Sequence, residues 1–503
     1  MNEPIDRKLK TNPTPVAPGE NLDRDEDDIE TTPEERYRSL RRSISRTKGF
    51  GLKFVQCSPA EGTRIINRLE GDLPGKNIEV LDLKEAIDNL YEIVAALPNR
   101  DKIDVLCISG IERSLVDYIR PGYGGEGDYY KLDSVPKILG HLNQQRERFR
   151  DDFPICFVFL LPRFALKYFR RRSMDFFDWG TGAIEFPSDP SWVEQESERI
   201  LLEGNYDEYL KWTPEQHRER IIELETMLSE PCQTIERQYY CLFQIGNILT
   251  ASGKHTSSLE IWNKLVDFKV KDTRIWNDRG AVLDQLGRYE EAVTSYDKAI
   301  EIDPNDDIAW YNRGNALYGL WLFEEAVTSY DKAIEINPSN ESAWHNRGVA
   351  LKELEQYEEA IASYDKAIEA NAELFLSWYS RGHVLHILGR YEEAIDNYTE
   401  ALAINPKYYG AWHNRGADLQ NLGRYEEAID NYTEALAINS HNESAWFNRA
   451  CSYAAQNDLE ATLSDLKKAI QLNPECREYA KTDSAFDRLR DDPRFQALLE
   501  PET

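Results

Sequence analysis

From Thr273 onward the apolar and polar positions of this chain return in a fixed order. Trp276, Trp310, Trp344, Trp378, Trp412 and Trp446 each stand 34 residues after the last, a spacing that marks repeat architecture. With the tryptophan as position four of a unit, position eight holds Gly280, Gly314, Gly348, Gly382, Gly416 and then Ala450. Position 17 holds Tyr289, Phe323, Tyr357, Tyr391, Tyr425 and Leu459, and position 24 holds Tyr296, Tyr330, Tyr364, Tyr398, Tyr432 and Leu466. Small residues recur on the second half of each unit, as Ala292 and Ala299 in the first. The pattern predicts two amphipathic helices per unit that approach closely at position eight, where little side-chain volume is tolerated. Gly287, Gly389 and Gly423 supply the left-handed residue that ends the first helix, and Pro304, Pro338, Pro406 and Pro474 stop the second. Such a hairpin cannot bury its apolar faces alone, so stability must come from stacking on its neighbours.

Upstream the period changes. GLKFVQCS, NIEVLDL, KIDVLCISG and ICFVFLLP are short apolar runs, and GTRIINRLEGDL, EAIDNLYEIVAAL and VPKILGHLNQQRERFRDD between them read as helices. Alternation of this kind predicts a parallel sheet covered on both faces over residues 49–186. A helical connector over 187–238 leads to the repeats at 239–475, and a capping helix and tail follow at 476–503. The fold class is therefore α/β plus all-α. Residues 1–48 read as a disordered tail, rich in Pro, Gly and acids, that ends in a basic segment, EERYRSLRRSISRTKG. This segment is either a surface helix or an anchor for the acidic repeats.

A formal charge of −30 over 503 residues argues against nucleic acid or an anionic membrane as partner. The longest apolar run is too short to cross a bilayer. None of the seven cysteines forms a CxxC pair, which points to reduced, buried thiols in a cytoplasmic protein.

The repeat series resembles the tetratricopeptide repeat family. The family pattern falls on Trp310, Gly314, Leu317, Phe323, Ala326, Tyr330, Ala333 and Pro338 in one unit. Leu242, Gly246, His255, Trp262 and Leu265 keep the same register in a degenerate leading unit, giving seven. Ala372 and Ser440 replace the usual proline and Thr462 an alanine, which leaves helix length open at the Ala372 and Ser440 joints. The resemblance implies a right-handed α-solenoid whose first helices line a concave groove for a protein or peptide segment. Position five there carries Tyr311, His345, Tyr379 and His413; position six carries Asn312, Asn346, Asn414 and Asn448; position nine includes Asn315 and His383. An amide offers both a donor and an acceptor, so this ladder can grip an extended backbone, or it can tie adjacent helices together. The family's lysine clamp for a terminal carboxylate has no counterpart here.

Arg279, Arg313, Arg347, Arg381, Arg415 and Arg449 form a second strict series. A shared packing role, with the guanidinium directed at a carboxylate of the same or adjacent unit, is favoured over a phosphate ladder because the surroundings are acidic. His345, His383, His386 and His413 are spread over different units, about 10 Å apart, too far to share a metal. No metal or other cofactor is expected.

The layout of 49–186 resembles P-loop ATPases of the signalling type. Their phosphate loop needs glycine, lysine and a hydroxyl residue at set spacing. In QCSPAEGTRI, Gly62 matches the second glycine, but Thr63 and Arg64 stand where lysine and hydroxyl belong, and Glu112 lies beyond the third strand. The resemblance implies a degenerate, non-catalytic domain, with Gly62, Thr63, Arg64 and Glu112 as a vestigial nucleotide site. Arg163, Lys167, Arg170, Arg171 and Arg172, interleaved with aromatics, read as the solvent face of a helix rather than a nucleic-acid surface. The expectation is a scaffold or adaptor. The alternative is a nucleotide-regulated bacterial signalling or defence sensor that binds ATP without efficient hydrolysis. The oligomeric state is left open.

Overall fold

The computed structural model describes residues 32–115, 136–180, 182–188, 193–194, 199, 205–230 and 234–500. They fall into two compact units, Met1–Glu198 with Glu225–Pro231, and Arg199–Leu224 with Cys232–Thr503. The tail up to residue 31, Cys232, most of residues 189–204 of the expected connector and the side chains of Arg171 and Arg172 lie outside the described residues.

In the first unit β1 (Gly51–Gln56), β2 (Ile78–Asp82), β3 (Val105–Ser109), β4 (Cys156–Leu161) and β5 (Ala183–Glu185) form one sheet in the order β2-β3-β4-β1-β5. Every pairing is parallel. The unbroken apolar run of β4 is buried at all six positions, as a central parallel strand must be. The sequence signalled β1 to β4. The three residues of β5 are too few to show a period.

One boundary moves. The basic segment assigned to the tail is a helix, α1 (Pro33–Arg46), started by a capping box between Thr32 and Glu35. It buries Tyr37, Leu40 and Ile44 in a core shared with Val55, Ile65, Leu69, Val158 and Phe186. The Arg68 guanidinium sits 3.7 Å from the Tyr37 ring centroid and pairs with Glu34 at 2.9 Å. The α/β unit thus begins near residue 33 rather than 49, because three apolar residues at helical spacing decide the packing and the arginines only cover the outside.

Among its described residues the second unit contains seven helical hairpins. The leading one, Ile235–Ala251 with His255–Asp267, starts four residues before the expected boundary. The first full repeat is Thr273–Gln285 with Tyr289–Ile302, and the last is Glu443–Ala455 with Leu459–Leu472. The small residue at position eight faces the ring at position 24: a Cβ added to Gly280 would lie 2.5 Å from the Tyr296 ring, and one added to Gly246 would lie 2.8 Å from the Trp262 ring. Alanine fits at position 450 because Leu466 replaces the ring there. The joints lacking proline are unaltered, with second helices of 14 residues, Tyr357–Ala370 and Tyr425–Ile438. The same indole bond closes joints with and without proline: Trp310 Nε1 donates to the Pro304 carbonyl at 3.0 Å, and Trp378 and Trp446 donate likewise to Ala372 and Ser440. The acceptor is backbone, so the residue that carries it is free to change.

The ends of the array are covered. Tyr209 and Arg220 donate to Gln244 Oε1 of the leading hairpin at 3.3 and 3.1 Å. At the other end two short helices, Cys476–Thr482 and Pro493–Leu499, flank a 3-10 turn and insert Phe486 and Phe495 against Ala450, Cys451 and Leu466. The expected single capping helix is thus three short pieces.

Candidate peptide-binding face of the helical array

First helices of consecutive repeats touch one another along the array, so the side chains at positions five, six and nine form one continuous face. Asn346 Nδ2 donates to Tyr311 Oη at 3.1 Å and to Asn315 Oδ1 at 2.8 Å, and Asn315 Oδ1 also accepts from Tyr330 Oη at 2.8 Å. Asn414 Nδ2 donates to Tyr379 Oη at 3.1 Å, and the Asn448 amide bonds to the Tyr432 hydroxyl. Asn312 is half-buried on the same face. The amide donors therefore tie each of these repeats to the preceding one. The Asn346 and Asn414 carbonyl oxygens enter none of these bonds.

The histidines are placed differently from one another. His345 Nδ1 meets Ser377 Oγ at 2.9 Å beside the Tyr364 ring, and burial pushes its pKa down to about 4. His413 packs against Tyr432, and burial lowers its pKa too. His383 lies between Tyr379 and His386, nearly parallel to both rings, and is lowered by burial and by Lys352. His386 differs because its Nδ1 bonds Asp418, which raises its pKa. Asp418 is fully buried at position ten, where other repeats carry Val282, Ala316, Ala350, Val384 or Ser452. That mismatch was the one sequence signal for this pair, and it was missed. Among the described residues no group of three or more His, Cys, Asp or Glu is placed to hold a metal ion.

The arginine series has the packing role expected of it, with a regular geometry. Each guanidinium reaches the second helix of the preceding repeat and that of its own. Arg313 bonds Asp297 at 2.7 Å and Ser329 at 2.7 Å; Arg347 bonds Asp331 at 2.6 Å and Ser363 at 2.7 Å. Arg415 finds Thr399 and Asn431, and Arg449 finds Thr433 and Asp465. Several of the acceptors are therefore neutral, where a carboxylate was expected.

In the α/β unit, α2 (Pro59–Asp72) begins two residues after β1, and Ser58 accepts from the Glu61 N–H and, through its carbonyl, from the Gly62 N–H at 2.9 Å. No extended glycine loop intervenes. Gly62 is buried against Cys57, whereas Thr63 bonds back to the Pro59 carbonyl and Arg64 to Glu61, both exposed. Glu112 lies in the turn after β3, and burial raises its carboxyl to about 7. Burial, Glu61 and Glu112 together push the Cys57 thiol up. Thr63 and Arg64 are thus not gathered with Gly62 and Glu112, and at the end of β1 Gln56 and Cys57 share a pocket with Arg36, Arg163, Glu185 and Glu230.

A stacked array of helical hairpins with side-chain-lined first helices defines a helical-repeat protein-interaction surface. Family models place the particular repeat: "TPR repeat" matches residues 283–320 and 323–355, and "Tetratricopeptide repeat" matches 342–373, 375–408, 409–442 and 443–476. The C-terminal half is therefore an array of tetratricopeptide repeats, a class that binds protein or peptide partners. None of these matches falls in the α/β unit. Among solved structures the chain is similar to YrrB, described as a TPR protein with an unusual peptide-binding site (29% identity, 37% of this chain and 98% of that one, TM-score 0.35). It is also similar to the C-terminal part of a TPR repeat-containing protein from Cytophaga hutchinsonii (16%, 49% and 99%, TM-score 0.42) and to PilF of Pseudomonas aeruginosa (20%, 42% and 97%, TM-score 0.38). No curated protein is matched. No helix among the described residues is long and apolar enough to cross a membrane.

Proposed function

We propose that the chain is a non-catalytic scaffold whose repeats hold an extended protein segment along the first-helix face, with the α/β unit as a second docking surface. The observation that carries this reading is the succession of ring and amide at positions five and six, Tyr311/Asn312, His345/Asn346, His413/Asn414 and Phe447/Asn448. Rings supply contact area at low entropic cost, and amide oxygens accept from a backbone whatever its side chains. Ser380 interrupts the series once. Lys352 is the lysine on this face and is held by Glu353 at 2.9 Å, so a neutral stretch of chain suits the face better than a terminal carboxylate. The free, buried Cys107 and Cys156 agree with a reducing, cytoplasmic setting. A photo-crosslinking residue in place of Asn312 or Tyr379 should trap a defined peptide, whereas one in place of Thr328 on a second helix should not. Equal trapping at both places, or trapping undiminished when Asn346, Asn414 and Asn448 are all changed to alanine, defeats the proposal.

A further inference from the structure

A repeat array is its own internal comparison, and one turn between helices departs from the rest. At position 16, Arg288, Arg390 and Arg424 each pair with the glutamate three residues on, at 2.6 Å. In the two repeats between Arg288 and Arg390 that arginine is missing, replaced by Leu322 and Gln356. The glutamates three residues on, Glu325 and Glu359, remain, and with Glu324 and Glu355 of the same turns they are exposed and enter no ion pair among the described residues. At the same turn Trp321 takes the left-handed place that four of the seven repeats give to glycine, with φ of 63° and 77% of its surface exposed. Leu322 beside it is 42% exposed. Neither an exposed indole in a strained conformation nor a row of unneutralised acids helps the fold.

We infer that the turn edge around Trp321, Leu322, Glu324, Glu325, Glu355 and Glu359 is a docking site for a basic protein segment that also carries aliphatic side chains. This surface lies at the turns, apart from the first-helix face, and the inference stands whether or not that face binds peptide. A guanidinium or ammonium group stacks on the open face of Trp321, an aliphatic side chain covers Leu322, and further cations meet the four carboxylates. The charge selects the occupant: an acidic protein or a nucleic acid is repelled, and so is a second copy of a chain whose net charge is −30.

The test is a fluorescence-anisotropy titration of the full chain with an end-blocked, labelled peptide of alternating arginine and leucine at physiological salt. Trp321→Gly adopts the residue that other repeats use, and the double variant Leu322→Arg/Gln356→Arg restores their ion pair, so both keep the hairpin. Each is expected to weaken binding by about fivefold or more, while Glu290→Gln/Glu426→Gln, which removes equal charge from two other turns, changes it less than about twofold. Equal losses in all three variants would show only diffuse attraction to an acidic protein and overturn the site, as would affinity unchanged by Trp321→Gly. Sedimentation of the same proteins adds an arm: self-association of the wild type that disappears in Trp321→Gly would assign the edge to a second copy and overturn it too.

Discussion

A Cβ placed on Gly314 would lie 2.5 Å from the Tyr330 ring, and the hydroxyl of that ring is fixed 2.8 Å from Asn315. The ring therefore has no freedom to retreat, and Gly314→Ala should destabilise the array by about 1–3 kcal/mol. The last repeat shows the remedy, Ala450 facing Leu466. Tyr330→Leu alone leaves a void and removes one of the two hydrogen bonds to Asn315 Oδ1, but the two changes together should cost about 1 kcal/mol less than their sum. Urea unfolding of the four proteins measures this coupling, and strict additivity would mean that the glycine answers to something other than the ring.

Glu355 has φ of 60° where Gly287, Gly389 and Gly423 hold the same turn at 69° to 75°. A side chain costs about 1–2 kcal/mol in that conformation, and glycine returns about half of this as lost backbone freedom. Glu355→Gly should thus raise stability by about 0.5–1 kcal/mol, and Gly423→Ala should lower it by about 1 kcal/mol. Thermal unfolding checks both signs; a loss in the first variant would show that Glu355 makes a compensating contact.

The array was legible because every repeat must present the same faces to both neighbours, which forces the 34-residue recurrence of Trp310, Gly314 and Tyr330 into view. What stayed hidden is pairing that no period announces. Asp418 answers His386 one repeat away, and Ser452 answers Gln420 across the same spacing, but a carboxylate stands at that position in no other repeat. The acceptors of the arginines mix Asp, Ser, Thr and Asn because a guanidinium donates to any oxygen at the right place. In the α/β unit the charge of α1 masked an apolar stripe of three residues, and β5 was too short to read. On the binding face, the residue types were visible, but which amide atoms are already used depends on neighbours 31 to 35 residues away, as for Asn346 with Asn315 and Tyr311.

The arginine series contains its own gradient of burial. Arg449 and Asp465 leave 12% and 7% of their side chains exposed, whereas Asp331, the partner of Arg347, leaves 50%. Removing Arg449 strands a buried carboxylate, so Arg449→Ala should cost about 3 kcal/mol or more. Arg347→Ala should cost about 1 kcal/mol, because water reaches Asp331. Equal losses in denaturant titrations would place the value of these arginines in the packing of their stems instead.

Asp278 occupies position six, where four later repeats carry asparagine, and burial raises its carboxyl to about 7 against the ordinary value of 3.8. Arg274 opposes that rise and Asp272 adds to it. Between these two values the folded chain holds a proton that the unfolded chain has released, so this group's contribution to stability declines as pH rises and is gone above about 7. Asparagine keeps the shape and never ionises. Asp278→Asn should therefore be nearly neutral at pH 4 and stabilise the array at pH 8, by on the order of 2 kcal/mol with allowance for solvent at this half-buried site. Melting curves of the two proteins at both values decide it. An effect equal at pH 4 and pH 8 would mean that the carboxyl ionises freely in the folded array and that the position carries no buried charge.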